Sequence, residues 1–284
     1  MYSDLSFIPE AQDFPTVDQL KGINRFLICF WVPSKGGAFD NVKIWQGLSA
    51  TKRKEIRSAY NKAGIALMMS YGGQTETPTT SGENAVLLAK DLADFVIKHE
   101  LDGIDINYED LVAMEAGTAE AWVIELQIEL RKLLPKPYLI SHAPIAPWFK
   151  TPSYPKGGYL AIEKAVGKDS IDWYNIQYYN QGPSNYMDCE RLTFWSIFNT
   201  SPPTFPKTSV YEIAAGGIPL EKIVVGKPIS TVRSSNGFME FSALGKCMAG
   251  AKAKGWNGGI MMWDWDPTNV PGNSQAFAQA KGSG

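Results

Sequence analysis

The strongest constraint on the fold is the regular exchange of short apolar runs with longer amphipathic ones along the whole chain. Ile23 to Val32 (INRFLICFWV) is a strongly apolar run stopped by Pro33. Ser49 to Ala63 reads as a helix, opened by a cap at Ser49 or Thr51 and closed by Gly64. Ile65 to Ser70 (IALMMS) is strand-like and ends at Tyr71-Gly72-Gly73. Glu83 to His99 then places Leu88, Leu92, Phe95 and Val96 on one helical face. The alternation continues with a strand at Leu101 to Asp110, a helix from Thr118 to Leu134 and a strand at Tyr138 to Ala143. A helix at Gly158 to Val166, a strand at Ser170 to Asn180 and a helix at Thr208 to Ala215 follow. Lys222 to Pro228, Ser242 to Lys254 and Gly258 to Trp263 complete it as strand, helix and strand.

Strands this apolar are covered on both faces, which is the condition of a parallel sheet wrapped by helices. Seven or eight such units in 284 residues predict an α/β fold of one domain, a single (β/α)8 TIM barrel. The sequence holds no G-x-G-x-x-G or G-K-[ST] loop, so a nucleotide-binding open sheet has no support. The first strand is expected to be weak or truncated, because Tyr2 to Ile8 is a poor strand sequence. Residues 1–284 are read as one barrel, with Gly282-Ser283-Gly284 as an appended tail.

Composition narrows the partners. The 27 basic and 29 acidic residues nearly cancel and form no long run, which argues against nucleic acid or an anionic membrane surface. No apolar stretch is long enough to span a bilayer, and the N-terminus lacks the pattern of a signal peptide. Cys29, Cys189 and Cys247 have no metal-ligand spacing and His99 and His142 are the only histidines, so neither a metal nor any other cofactor is expected.

Within this framework Leu101 to Asp110 (LDGIDINYED) stands out, because polar residues alternate there with Ile104, Ile106 and Tyr108. Asp105, Asn107 and Glu109 thus share one face of a strand. A solvated edge strand would show the same alternation. In a covered barrel, however, such side chains are buried only when paired or hydrogen-bonded, and the row then marks a site. Barrel enzymes react at the C-terminal ends of their strands, and the other polar or large positions fall there too: Ser70, Gln177 with Tyr179, and Trp263.

The stretch Asp102-Gly103-Ile104-Asp105-Ile106-Asn107-Tyr108-Glu109 resembles the D-G-x-D-x-D-x-E signature of glycoside hydrolase family 18, the chitinases and related endo-β-N-acetylglucosaminidases. Ser70-Tyr71-Gly72-Gly73 resembles the family's S-x-G-G, Gln177-Tyr178-Tyr179-Asn180 its sixth-strand motif, and Gly258-Gly259-Ile260-Met261-Met262-Trp263 its last strand. The resemblance implies cleavage of β-1,4 bonds after N-acetylglucosamine, in chitin or in the chitobiose core of N-glycans, by a monomeric, secreted barrel. It implies substrate-assisted retaining catalysis, the family being an exception to the two-carboxylate scheme. Glu109 would be the acid, Asp105 and Asn107 its supporting row, and Tyr179 the donor to the acetamido oxygen. Trp263, Gln177, Tyr71 and Asn180 would bind sugar.

Two departures accompany the resemblance. No stretch between Ile229 and Ser242 is long enough for the small α+β insertion of some members, so an open cleft is expected. Asn107 stands where the signature has a third acid, and an amide can accept a hydrogen bond but carries no negative charge. It is compatible with a working variant, with an introduced change, or with a chitinase-like lectin that binds without turnover. Core readings also stay open. Trp263 and Tyr179 could be packing residues, Ser70, Gly72 and Gly73 could serve close backbone approach, and His142 reads as a structural histidine. Trp31, Trp148, Trp195 and Trp265 could line outer subsites or be buried.

Overall fold

A computed structural model describes residues 1–4, 14–150, 154–189 and 195–280. Eight parallel strands pair in chain order. They are β1 (Tyr2–Ser3), β2 (Arg25–Val32), β3 (Ala66–Gly72), β4 (Gly103–Asn107), β5 (Leu139–His142), β6 (Trp173–Gln177), β7 (Ile223–Pro228) and β8 (Ile260–Trp263). The Trp265 amide donates to the Tyr2 carbonyl at 2.7 Å, which brings the end of β8 back beside β1 and leaves the barrel nearly closed. This is the (β/α)8 architecture that the alternation predicts. The first strand is short, as expected: two residues, in register with Leu27 and Ile28. The rest of the expected first-strand region, from residue 5 to residue 8, and the tail at 282–284 lie outside the described residues.

The period of two sorts the side chains. Tyr2, Leu27, Cys29, Met68, Val224 and Met261 point into the barrel. Leu67, Met69, Ile104, Ile106, Ile140 and Ile176 point out against the helices. Those helices form where periodicity places them. Ala85–Lys98 buries Leu88, Leu92, Phe95 and Val96 and is capped by Asn84, whose side chain accepts from the Leu87 amide at 2.9 Å. Of the two candidate caps, Ser49 does the capping of Ala50–Lys62, accepting from the Lys52 amide, and Thr51 lies inside the helix.

Three helices escape the sequence reading: Asp40–Gly47, Leu111–Ala116 and Val270–Ala280. The first two are a turn or two long, too short for a 3.6-residue period to declare itself. The cysteines resolve as a Cys189–Cys247 disulfide with Cα atoms 5.1 Å apart and a buried free Cys29. No described helix is long and apolar enough to cross a membrane.

Candidate active site

The polar row of β4 forms three levels along the barrel axis. At the bottom, Asp105 is completely buried, and four side chains from four other strands converge on its carboxylate. Tyr2 Oη and Ser70 Oγ donate to Oδ2 at 2.7 and 2.8 Å, and Ser141 Oγ and Asn175 Nδ2 donate to Oδ1 at 2.6 and 3.1 Å. The register explains the convergence, since Ser70, Asp105 and Ser141 are direct neighbours across β3, β4 and β5. Burial pushes the Asp105 pKa up, and these hydrogen bonds pull against it.

Asn107 lies one level higher. Its Oδ1 accepts from Gln177 Nε2 at 3.1 Å, and Gln177 Nε2 also donates to the Ala143 carbonyl at 2.8 Å and lies 3.4 Å from Glu109 Oε1. Glu109 is past the end of β4, half-buried at the mouth. Burial raises its pKa, with hydrogen bonds from Gln177 and Asn107 opposing the rise. An acid meant to donate near neutral pH needs a shift in that direction. Tyr179, buried beside it, is held well above the usual phenol range, first by burial and then by the Glu109 carboxylate, so it remains a donor.

Above these groups opens a cleft of about 670 Å³ lined by Asn107, Glu109, Gln177, Tyr179, Asn180 and Trp263, among others. The Trp263 indole is half-buried between Phe30 and Tyr2, with ring centroids 5.9 and 5.7 Å away. One of its faces therefore belongs to the core. The close packing expected of the β3 end is present. A Cβ on Gly72 would approach the Asn107 carbonyl oxygen to 2.5 Å, and the Gly73 amide donates to that oxygen at 2.8 Å. Across the cleft Arg233 Nε pairs with the buried Asp264 at 3.1 Å.

One expectation needs correction. Tyr71 is not a cleft residue: it follows inward-facing Ser70, so the period of two turns it outward. There it is buried under the helices with its hydroxyl 3.4 Å from Glu83. Asp105 lies beneath the cleft and does not line it. Its carboxylate is spent on four donors, none of them Asn107, which makes it a brace under the site. Asn180 lines the rim, but its Oδ1 accepts from the Ser235 and Asn236 amides, so it also binds the β6 loop to the β7 loop. Trp148 and Trp265 are buried, and Trp31 packs edge-on against Phe95. His142 is structural, held by Gln127 at 3.0 Å and Tyr159 at 3.3 Å.

Tyr2, Ser141 and Lys227 were not singled out from the sequence. Ser141 carries no sequence signal. Lys227 carries one: a lysine in an otherwise apolar strand. Burial lowers its pKa to about 7, and in its protonated form Nζ donates to the carbonyls of Tyr178, Tyr186 and Gly237 at 2.8, 2.7 and 3.0 Å, tying together the two loops that form the cleft wall behind Tyr179. Among the described residues no group of three or more His, Cys, Asp or Glu side chains could hold a metal ion.

The parallel barrel, with Glu109 at the mouth of a cleft on the strand signature described above, has the fold of the family 18 chitinases. Comparison with known structures agrees along the whole chain. A family 18 chitinase from Pseudoalteromonas aurantia superimposes with a TM-score of 0.75 at 24% identity, covering 98% of each chain. A fungal endo-β-N-acetylglucosaminidase of family 18 superimposes with a TM-score of 0.71 at 18% identity, over 98% of this chain and 96% of that one. In sequence, a chitinase-like effector of Moniliophthora perniciosa is 26% identical over 187 residues, 60% of this chain and 41% of that protein. This chain thus matches less than half the length of that relative. No protein-family profile matches.

Proposed function

We infer that the protein is a glycosidase that cleaves β-1,4 linkages after N-acetylglucosamine. The observation that carries this reading is Glu109, a carboxylic acid on the signature strand whose pKa is raised by burial, at the mouth of a cleft flanked by Tyr179 and Trp263. Glu109 gives its proton to the glycosidic oxygen as the bond to the anomeric carbon breaks. The carbonyl oxygen of the sugar's own 2-acetamido group attacks that carbon, and Tyr179 donates to this oxygen and aligns it. Positive charge then resides on the oxazolinium ring. Glu109, now ionised, takes a proton from water, and the water oxygen opens the ring with overall retention. The exposed face of Trp263 supports the apolar face of the sugar.

Asn107 supports a second reading, a chitinase-like sugar-binding protein with little or no turnover. No negative charge at that position offsets the oxazolinium. Asp105 lies deeper and is committed to four donors. The Cys189–Cys247 disulfide fits a secreted protein under either reading. Release of reducing ends from N-acetylglucosamine oligomers, and of high-mannose glycan from ribonuclease B, measured beside binding to chitin beads, separates the two. Release of either product supports the glycosidase. Retention on beads with no product places the protein with the binders.

A further inference from the structure

Glu109 stands past the end of β4, where the pairing with β3 has stopped at Asn107, so the sheet itself does not hold it. The chain on both sides of it is instead tied to one neighbouring loop, residues 73–84, between β3 and the helix Ala85–Lys98. That loop closes on itself, the Ser81 amide donating to the Thr77 carbonyl and the Glu83 amide to the Pro78 carbonyl, each at 2.8 Å. Before Glu109, the Gly73 amide holds the Asn107 carbonyl, and the buried Tyr108 hydroxyl shares a hydrogen bond of 2.9 Å with Thr79 Oγ1. After it, the completely buried Asp110 carboxylate accepts from the Thr80 amide at 2.7 Å on Oδ2 and from the Thr80 hydroxyl at 2.6 Å on Oδ1. Helix capping explains only part of this. Asp110 Oδ1 also accepts from the Ala113 amide at 3.1 Å and so caps Leu111–Ala116, but a cap needs one oxygen, and Thr80 engages both. Packing alone likewise explains only the Tyr108 ring, set 5.6 Å from Trp122 and 6.0 Å from Trp148; a phenylalanine would fill that place.

We propose that Thr79 and Thr80 are positioning residues that, through Tyr108 and Asp110, hold Glu109 at the mouth of the cleft beyond the reach of the sheet. Glu109 lines the cleft, and its two clamped neighbours do not. With the residues before and after it fixed to the same Thr-Thr pair, the main chain under Glu109 has little freedom, and its carboxyl moves only by its own side-chain torsions. Gln177 Nε2, 3.4 Å from Oε1, then meets that carboxyl from the cleft side. The consequence for chemistry rests on the reading of Glu109 as the reacting group. A general acid must lie within hydrogen-bond reach of the oxygen it protonates, and a displacement of about 1 Å can cost about a hundredfold in rate. The clamp supplies that precision from outside the cleft, without touching sugar.

Backbone 15N relaxation of the full chain tests this without requiring turnover. In the parent the Glu109 amide should be as rigid as those of Ile104 and Ile106, with an order parameter of about 0.85. Thr80→Val combined with Tyr108→Phe deletes both side-chain ties while changing little in shape. In that variant the Glu109 order parameter should fall to about 0.6 or below, with Ile104 and Ile106 unchanged. Thr80 is exposed, so Thr80→Val alone carries the same comparison if the double variant does not fold. Kinetics give the second readout. The kcat of the double variant should fall at least about tenfold with KM within about twofold, because the loss lies in aligning the acid and not in binding. Thr80→Ser, which keeps the hydroxyl, should match the parent, and so should Ser49→Ala, which removes a helix cap outside the cleft. A Glu109 amide that stays rigid in the double variant, or a kcat within about twofold of the parent's, overturns the proposal. Relaxation still decides the matter in a protein that hydrolyses nothing, and a failed clamp leaves Glu109 free to be the acid, so the two conclusions stand or fall separately.

Discussion

Tyr2→Phe probes whether the shortest strand of the barrel is anchored by the buried carboxylate. The substitution keeps the ring and its contact with Trp263 while deleting the hydroxyl that donates to Asp105 Oδ2 at 2.7 Å and accepts from Asn175 Nδ2 at 3.0 Å. Asn175 keeps its bond to Asp105 Oδ1, and Oδ2 keeps Ser70, so the net loss is one hydrogen bond to a charged acceptor. Such a bond contributes about 1.5–3 kcal/mol. Unfolding entropy for a chain of 284 residues is on the order of 0.6 kcal/mol per degree, so Tm should fall by about 3–5 °C. Denaturant titration and calorimetry should agree on that loss. Repeating the substitution in an Asp105→Asn background should reduce it to about 0.5–1.5 kcal/mol, because the acceptor there is neutral. A parent-like Tm for Tyr2→Phe, or an equal loss in both backgrounds, would refute an ionised brace.

Glu109→Gln should abolish hydrolysis and leave oligosaccharide binding largely intact; activity within about tenfold of the parent removes Glu109 from the acid role. Asn107→Asp places a carboxylate beside Glu109 and the oxazolinium, and should raise kcat by at least about tenfold with little change in KM, whereas equal kcat would show the charge to be dispensable. Trp263→Ala should weaken oligomer binding by about 1–3 kcal/mol, and since one face of the ring packs on Phe30 and Tyr2 a loss of Tm should accompany it; unaltered affinity rejects the sugar-floor role. His142 is buried with its pKa lowered from 6.5 to about 3. The unfolded chain then takes up a proton near pH 6.5 that the folded one refuses until near pH 3, so stability present above pH 6.5 is lost as pH falls between those values. The limit is roughly 5 kcal/mol. His142→Gln should flatten that acid slope in denaturant titrations, and an unchanged slope excludes His142 as its source.

The barrel was legible because its strands are apolar and its helices long enough to show their period. Leu88, Leu92, Phe95 and Val96 face the sheet as their spacing requires. Asp105, Asn107 and Glu109 were legible as a row for the same reason, since alternation on one strand is a local property. What those residues do to one another is not local. The four donors on Asp105 come from β1, β3, β5 and β6, and only the register of the closed sheet brings them to one point. Tyr71 illustrates the opposite error: membership in a motif suggested a cleft residue, while its place in the pleat, one step from Ser70, already turned it outward. The disulfide was equally hidden, because Cys189 and Cys247 stand 58 residues apart and nothing in their spacing joins them.

Lys227 Nζ grips the cleft wall entirely through main-chain carbonyls, those of Tyr178, Tyr186 and Gly237. Every amino acid has such a carbonyl, so the anchor is indifferent to most of the side chains it secures. Gly237 is the exception, because a Cβ there would come within 2.5 Å of Tyr179. The exposed positions of these two loops are thus open to drift or to library design while Tyr179 stays registered on Glu109. If the proposed glycosidase reading holds, sugar preference can be altered there without moving Glu109 or Tyr179.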